Sequence, residues 1–179
     1  LLFGITGYLA FHALGTSPNR AYVFGHELMH ALATWISGGK VKGFKVGSKK
    51  GSVTTDRITS FIALAPYLVP VYSVLWALAF GAAMLVWEIR PLAEWFFFGL
   101  GATLAFHLVF TVNVLKEKQS DLGAVGPILG LGLIFWTNVT LVVGVISWLV
   151  PDVRFRPYLV GGLEQTRDLY QAIFTQLFS

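Results

Sequence analysis

The chain has 179 residues, of which 55% are hydrophobic and only 12% are charged, with a mean hydropathy of +0.69. Because a soluble domain carries about 25% charged residues, this composition disfavours a soluble fold and favours a polytopic membrane protein. These residues include no cysteine, which excludes disulfides and thiolate metal sites. The net charge of +4 is explained by membrane topology, and nothing in the chain points to nucleic acid.

Apolar blocks separated by polar breaks predict a mainly α-helical protein with about five transmembrane helices. The first block, residues 1–15, is interpreted as the end of a membrane span and not as a signal peptide. The second block, 21–37, is short for a span of about 20 residues. It ends at Gly38 and Gly39, which favour a helix stop.

A polar insert, KVKGFKVGSKKGSVTTD, follows at residues 40–56. Val, Phe and Thr alternate with polar residues on both sides of the turn sequence GSKKGS. This pattern predicts a short β-hairpin inserted after the second helix.

Three further apolar blocks complete the predicted membrane core: 57–89, 91–115 and 124–150. Pro66 and Pro70 predict a kink or break near the start of the third block, and a substrate path beside them is an alternative interpretation. Asp56 is expected to cap the helix that begins this block.

The last part of the chain predicts an amphipathic helix. Apolar residues recur every four positions beside two charged ones: Leu169, Ile173, Leu177, Arg167 and Asp168. This spacing suits a membrane surface or a partner protein. We therefore expect a core domain at 1–150 and a C-terminal tail at 151–179.

The distribution of the 13 Lys and Arg residues predicts the orientation. If the spans alternate, one side of the membrane holds eight of them: Lys40, Lys42, Lys45, Lys49, Lys50, Arg57, Lys116 and Lys118. The other side holds five: Arg20, Arg90, Arg154, Arg156 and Arg167. This bias places the hairpin in the cytoplasm, where its lysines either contact anionic lipid headgroups or only set the topology.

The second block contains the sequence GHELMHALA at residues 25–33. On a helix, His26 and His30 lie on one face, one turn apart, so both rings can bind one ion. Glu27 lies beside the open coordination position, where a carboxylate can take a proton from water. This H-E-x-x-H spacing is typical of zinc peptidases. The competing interpretation is a hydrogen-bonded pair of core histidines.

A catalytic zinc site needs a third protein ligand, and the chain offers few. The candidates are Asp121, His107, His12 and Asp56. His107 lies on an apolar span, where a hydrogen bond to a ligand histidine is the alternative to direct ligation.

The chain resembles the site-2 protease family of intramembrane zinc metallopeptidases over residues 1–150. The segment GHELMHALATWISGGKV and the hairpin after it carry the first part of the resemblance. In the family pattern N-x-x-P-x-x-P-L-D-G, an aspartate follows an asparagine by eight positions, as Asp121 follows Asn113 here. The pattern departs at four positions: Lys116, Gln119, Ser120 and Leu122.

The resemblance implies that His26, His30 and Asp121 hold one zinc ion per chain. It also implies Glu27 as the general base and Asn113 as a contact for the substrate or oxyanion. The expected activity is hydrolysis of peptide bonds in membrane-spanning proteins, within the lipid bilayer of a prokaryotic plasma membrane. The alternative is a non-proteolytic structural subunit of a larger membrane complex.

Overall fold

The computed structural model describes residues 1–15, 18–48, 50–116, 120–150 and 152–178. It is mainly helical with one small antiparallel sheet, which confirms the predicted fold class in outline. The elements are α1 (Leu2–Ala13), α2 (Asn19–Ile36), β1 (Val41–Val46), β2 (Gly51–Thr55), α3 (Ser60–Leu68), α4 (Val71–Val86), α5 (Ala93–Leu115), α6 (Ser120–Gly123), α7 (Pro127–Leu149) and α8 (Phe155–Phe178).

The chain divides into two compact units, Leu1–Ile134 and Phe135–Ser179. The first unit contains every predicted site residue, and the second contains the end of α7 and all of α8. The predicted domain boundary at residue 150 stays a prediction, and Pro151 lies outside the described residues.

Two segments are long and apolar enough to cross a membrane: Arg90–Leu115 and Pro127–Leu149. The α3–α4 pair also passes this test as one unit, although it bends by 68°. Within the described ranges this makes two spans, or three if the bent pair counts as one, fewer than the five predicted. Two of the predicted spans do not pass this test. Helix α1 has only 12 residues, and the polar residues of α2 lower its hydropathy.

Helix α3 is the element that connects the parts of the first unit. Ile62 of α3 packs with Met29 and Ala33 of α2 in one buried cluster. Tyr67 of α3 packs with Leu122 of α6 in a second buried cluster. Because α3 contacts both neighbours, it holds α6 at a fixed position relative to α2.

The predicted break in the third block is confirmed. Pro66 lies inside α3, and the chain bends between α3 and α4, where Val69 is extended and Pro70 precedes the first turn of α4. The predicted cap is wrong, however. Thr59, and not Asp56, caps α3 by accepting a hydrogen bond from the Ile62 amide at 3.2 Å. Thr59 lies three positions after Asp56, so the helix begins later than the sequence analysis predicted.

The predicted hairpin is also confirmed. β1 and β2 pair antiparallel, with Phe44 opposite Val53 and a register shift between Val41 and Gly43. The rings of Phe24 and Phe44 lie 6.1 Å apart, so the hairpin packs on α2. Lys49 and Lys118, both counted in the predicted orientation, lie outside the described residues.

The predicted C-terminal helix is present as α8. Leu169 is 61% exposed, and Arg167 pairs with Asp168 at 2.9 Å. The side chains of Ile173 and Leu177 lie outside the part of the chain that the structure describes.

Candidate metal centre

His26, His30 and Asp121 meet at one point between α2 and α6. The two Nε2 atoms of the histidines lie 3.2 Å apart. Oδ2 of Asp121 lies 3.4 Å from Nε2 of His26 and 3.5 Å from Nε2 of His30. The helical spacing of the histidines and the packing of α6 on α3 together bring these three atoms into one small triangle.

The size of this triangle matches a zinc site. Zinc bonds of about 2.0–2.1 Å in tetrahedral geometry place neighbouring ligand atoms about 3.3–3.4 Å apart, close to the three observed separations. Charge-assisted hydrogen bonds between nitrogen and carboxylate oxygen are shorter, at about 2.7–2.9 Å. The three atoms are therefore close enough together to serve as ligands of one cation.

A hydrogen bond to α3 orients the ring of His30. Its Nδ1 lies 2.8 Å from the carbonyl oxygen of Ile62. Because a carbonyl only accepts, Nδ1 must carry a hydrogen, and a neutral ring then presents a lone pair at Nε2. Nε2 lies on the side of the ring that faces the carboxylate of Asp121, at 3.5 Å from Oδ2, so a cation can lie between these two groups.

Two tyrosines support the other ligands. The hydroxyl of Tyr22 lies 3.2 Å from Nδ1 of His26, on the ring edge opposite the triangle. Tyr67 is fully buried and donates its hydroxyl hydrogen to Oδ2 of Asp121 at 2.8 Å. Partners of this kind orient metal ligands and are part of a metal site.

Asp121 lies on α6, between the apolar segments of the chain. Burial alone would raise the pKa of its carboxyl group, but the polar groups of His26, His30 and Tyr67 outweigh burial and hold that pKa well below its usual range. Asp121 is therefore a carboxylate at neutral pH, the form that binds a metal.

Glu27 lies beside the three ligands without being one of them. Its side chain is only 7% exposed and lies close enough to interact electrostatically with all three. The hairpin covers it, since a Cβ added at Gly51 of β2 would lie 2.8 Å from Oε1 of Glu27. This leaves a buried carboxylate next to the triangle.

The structure separates the remaining candidates from the ligands. His107 is buried on α5, and together with His26 it lines a small cavity at the α3–α4 break. It does not join the ligand group formed by the described His, Asp and Glu residues. His12 lies on α1 against Tyr8, and Asp56 accepts a hydrogen bond from the Lys40 amide at 2.8 Å.

Asn113, the expected contact for the substrate or oxyanion, is half-buried in the last turn of α5. Its role stays a prediction. Tyr22 and Tyr67 were not among the residues predicted from the sequence. Tyr22 lies four residues before His26, so helical spacing could have found it, whereas Tyr67 reaches Asp121 across 54 positions.

No protein-family model, curated protein or solved structure matches this chain.

Proposed function

We propose that the protein is an intramembrane zinc metalloendopeptidase. The observation that carries this proposal is the triangle of His26, His30 and Asp121, whose edges have the length expected for a face of a zinc tetrahedron. Three protein ligands leave a fourth position open, as in catalytic zinc sites. Glu27 beside them supplies the base.

The membrane location is supported by the exposed apolar surface of the first unit. Beyond the two long apolar helices, α1 exposes Leu2 and Phe3 at 74% and 85%, and Leu14 just after it is 83% exposed. We place α1, α2 and the α3–α4 pair in the membrane as well, which gives five apolar segments and a hairpin on the cytoplasmic side. Exposed side chains of this kind are stable in lipid and unfavourable in water.

The reaction follows from the positions of the side chains. Zinc, when bound, would act as a Lewis acid that polarises the scissile carbonyl and activates water. Glu27 would take a proton from the attacking water and give it to the amide nitrogen as the C–N bond breaks. Tyr67 and the Ile62 carbonyl hold Asp121 and His30 in place during these steps.

The substrate class follows from the location of the site. A membrane-spanning helix satisfies its carbonyl groups internally, so a substrate segment must unwind locally before its peptide bond reaches Glu27. We therefore expect single-span proteins whose apolar segment unwinds easily.

The first test is the zinc content of the purified protein by elemental analysis, for the wild type and for His26→Ala, Asp121→Ala and His107→Gln. We expect about one zinc per chain in the wild type and in His107→Gln, and little in the other two. A wild-type protein that takes up no zinc would overturn the proposal.

The second test separates a protease from a structural subunit. Glu27→Gln, with the exposed Glu88→Gln as its control, is incubated in lipid vesicles with synthetic single-span peptides, and products are identified by mass spectrometry. We expect Glu27→Gln to retain zinc and lose cleavage. A structural role is disfavoured because burying Glu27 at 7% exposure is costly, and a purely structural metal site needs no base.

A further inference from the structure

Pro66 lies four residues after Ile62 within α3. In a regular α-helix the amide hydrogen of each residue is donated to the carbonyl oxygen four positions earlier. Proline has no amide hydrogen, so the carbonyl of Ile62 lacks the donor that its helix would otherwise supply. Ile62 is only 4% exposed, and a buried carbonyl without a donor is unfavourable.

The donor comes from another helix. Nδ1 of His30 on α2 lies 2.8 Å from the Ile62 carbonyl oxygen. In membrane helices, side chains of neighbouring helices often bond to the groups that a proline leaves free. Here the side chain is a candidate metal ligand, so the hydrogen bond that satisfies α3 also fixes which nitrogen of His30 faces His26 and Asp121.

We propose that Pro66 is a positioning residue of the metal centre. By removing one helical hydrogen bond, it keeps the Ile62 carbonyl available to His30 and so holds the ring with its Nε2 lone pair toward the triangle. This inference rests on the proposed zinc site. It assigns to Pro66 a role that is separate from bending the chain.

The position of the bend supports this separation. Pro66 lies inside the continuous helix α3, whereas the bend of 68° falls between α3 and α4, at Val69 and Pro70. Pro70 accounts for the break, because it precedes the first turn of α4. Pro66 therefore does not account for the bend. Its effect is on the Ile62 carbonyl, which receives no hydrogen bond from residue 66 and accepts one from His30 instead.

The test compares Pro66→Ala with Pro70→Ala as the matched control. Alanine at position 66 restores an amide hydrogen that competes with His30 for the Ile62 carbonyl, whereas alanine at position 70 leaves that carbonyl unchanged. Nitrogen-15 spectra of the histidine-labelled, metal-free protein report which ring nitrogen of His30 carries the hydrogen. We expect the Nδ1–H form in the wild type and in Pro70→Ala, and a mixture of forms in Pro66→Ala.

Zinc affinity provides a second readout. Loss of a partner that orients a metal ligand typically costs about 10–100-fold in affinity, and a shared carbonyl weakens the bond without removing it. We therefore expect Pro66→Ala to bind zinc about tenfold more weakly and Pro70→Ala to stay within about twofold of the wild type. The visible spectrum of the cobalt-substituted protein should change in Pro66→Ala alone.

The outcomes distinguish this inference from the proposed function. A wild-type protein that binds no zinc overturns the metal site, while the nitrogen-15 spectra still test the link between Pro66 and His30. Equal spectra and equal zinc affinity in Pro66→Ala and the wild type overturn the inference alone. If Pro66→Ala does not fold, the wild type remains decisive, because an Nε2–H form of His30 is incompatible with donation to Ile62.

Discussion

Tyr67 and Asp121 are linked by a buried hydrogen bond of 2.8 Å from the tyrosine hydroxyl to Oδ2, the same oxygen that faces both histidines. The tyrosine ring also lies edge-on to His26, with ring centroids 5.2 Å apart. Tyr67 therefore contacts two of the three candidate ligands from α3. Its hydroxyl limits the rotation of the Asp121 carboxylate and leaves the second lone pair of Oδ2 for the side that faces the two histidines.

We expect Tyr67→Phe to bind zinc about tenfold more weakly than the wild type, because Asp121 loses the partner that orients it. The ring remains in place, so the packing around α3 changes little. Competition with a chelating dye measures the affinity. Tyr170→Phe, at a position that is 70% exposed on α8, is the control, and equal affinity in all three proteins would show that Tyr67 does not orient Asp121.

The parts of the site that depend on local spacing could be predicted from the sequence. His26 and His30 are one helical turn apart, and Asp121 follows Asn113 by eight positions, as in the family pattern that the sequence resembles. The hairpin and the break near Pro70 follow from turn residues and proline chemistry. All of these depend on residues that are close together in the chain.

The supporting contacts could not be predicted in this way. His30 and Ile62 are 32 positions apart, and Tyr67 and Asp121 are 54 apart. Only the packing of α3 against both α2 and α6 brings these pairs together. Fewer helices than predicted are long and apolar enough to span a membrane, because an apolar block such as 1–15 does not reveal the length of its helix.

The contact between Gly51 and Glu27 predicts a specific effect on catalysis. In Gly51→Ala the new Cβ would lie 2.8 Å from Oε1 of Glu27 and 2.8 Å from Cγ1 of Val23. The Glu27 side chain must then move, and a displacement of about 1 Å can cost about 100-fold in rate. We expect kcat for peptide cleavage to fall by about tenfold or more, with zinc content unchanged.

Gly43→Ala is the matched control for this experiment, because it adds the same methyl group to the same hairpin. Its nearest neighbour would be Oγ1 of Thr54 at an ordinary distance of 3.5 Å. Equal kcat values in the two variants would show that β2 does not set the position of Glu27.

The start of the hairpin should be sensitive to acid through Asp56. The amide of Lys40 donates to Oδ1 of Asp56, and this bond, with the nearby Arg57, lowers the pKa of the Asp56 carboxyl from its usual value. Because the folded-state pKa is lowered, the Asp56 carboxylate makes its full contribution to folding stability above the unfolded-state pKa of about 3.9. It is lost as the pH falls through the folded-state pKa.

Hydrogen exchange at the Lys40 amide measures this effect. We expect Asp56→Asn to exchange faster than the wild type near pH 6, and the difference to disappear when the wild-type carboxylate is protonated in acid. Asp152→Asn, at an exposed position, should match the wild type throughout. Slow exchange in Asp56→Asn at pH 6 would contradict a role for the carboxylate in holding β1.

The contact between α1 and α5 predicts an effect on stability that is independent of the metal site. Gly4 lies directly against the backbone carbonyl of Phe98, and a Cβ added there would overlap the carbonyl oxygen. Gly4→Ala must therefore push α1 away from α5, and overpacking of this kind typically costs about 1–3 kcal/mol.

Gly7→Ala is the control on the same helix, because its Cβ would meet only the Phe98 ring at 3.8 Å. We expect denaturant unfolding in detergent to show a lower free energy of unfolding for Gly4→Ala and little change for Gly7→Ala. Equal stability of the two variants would mean that α1 can shift along α5 without loss of packing.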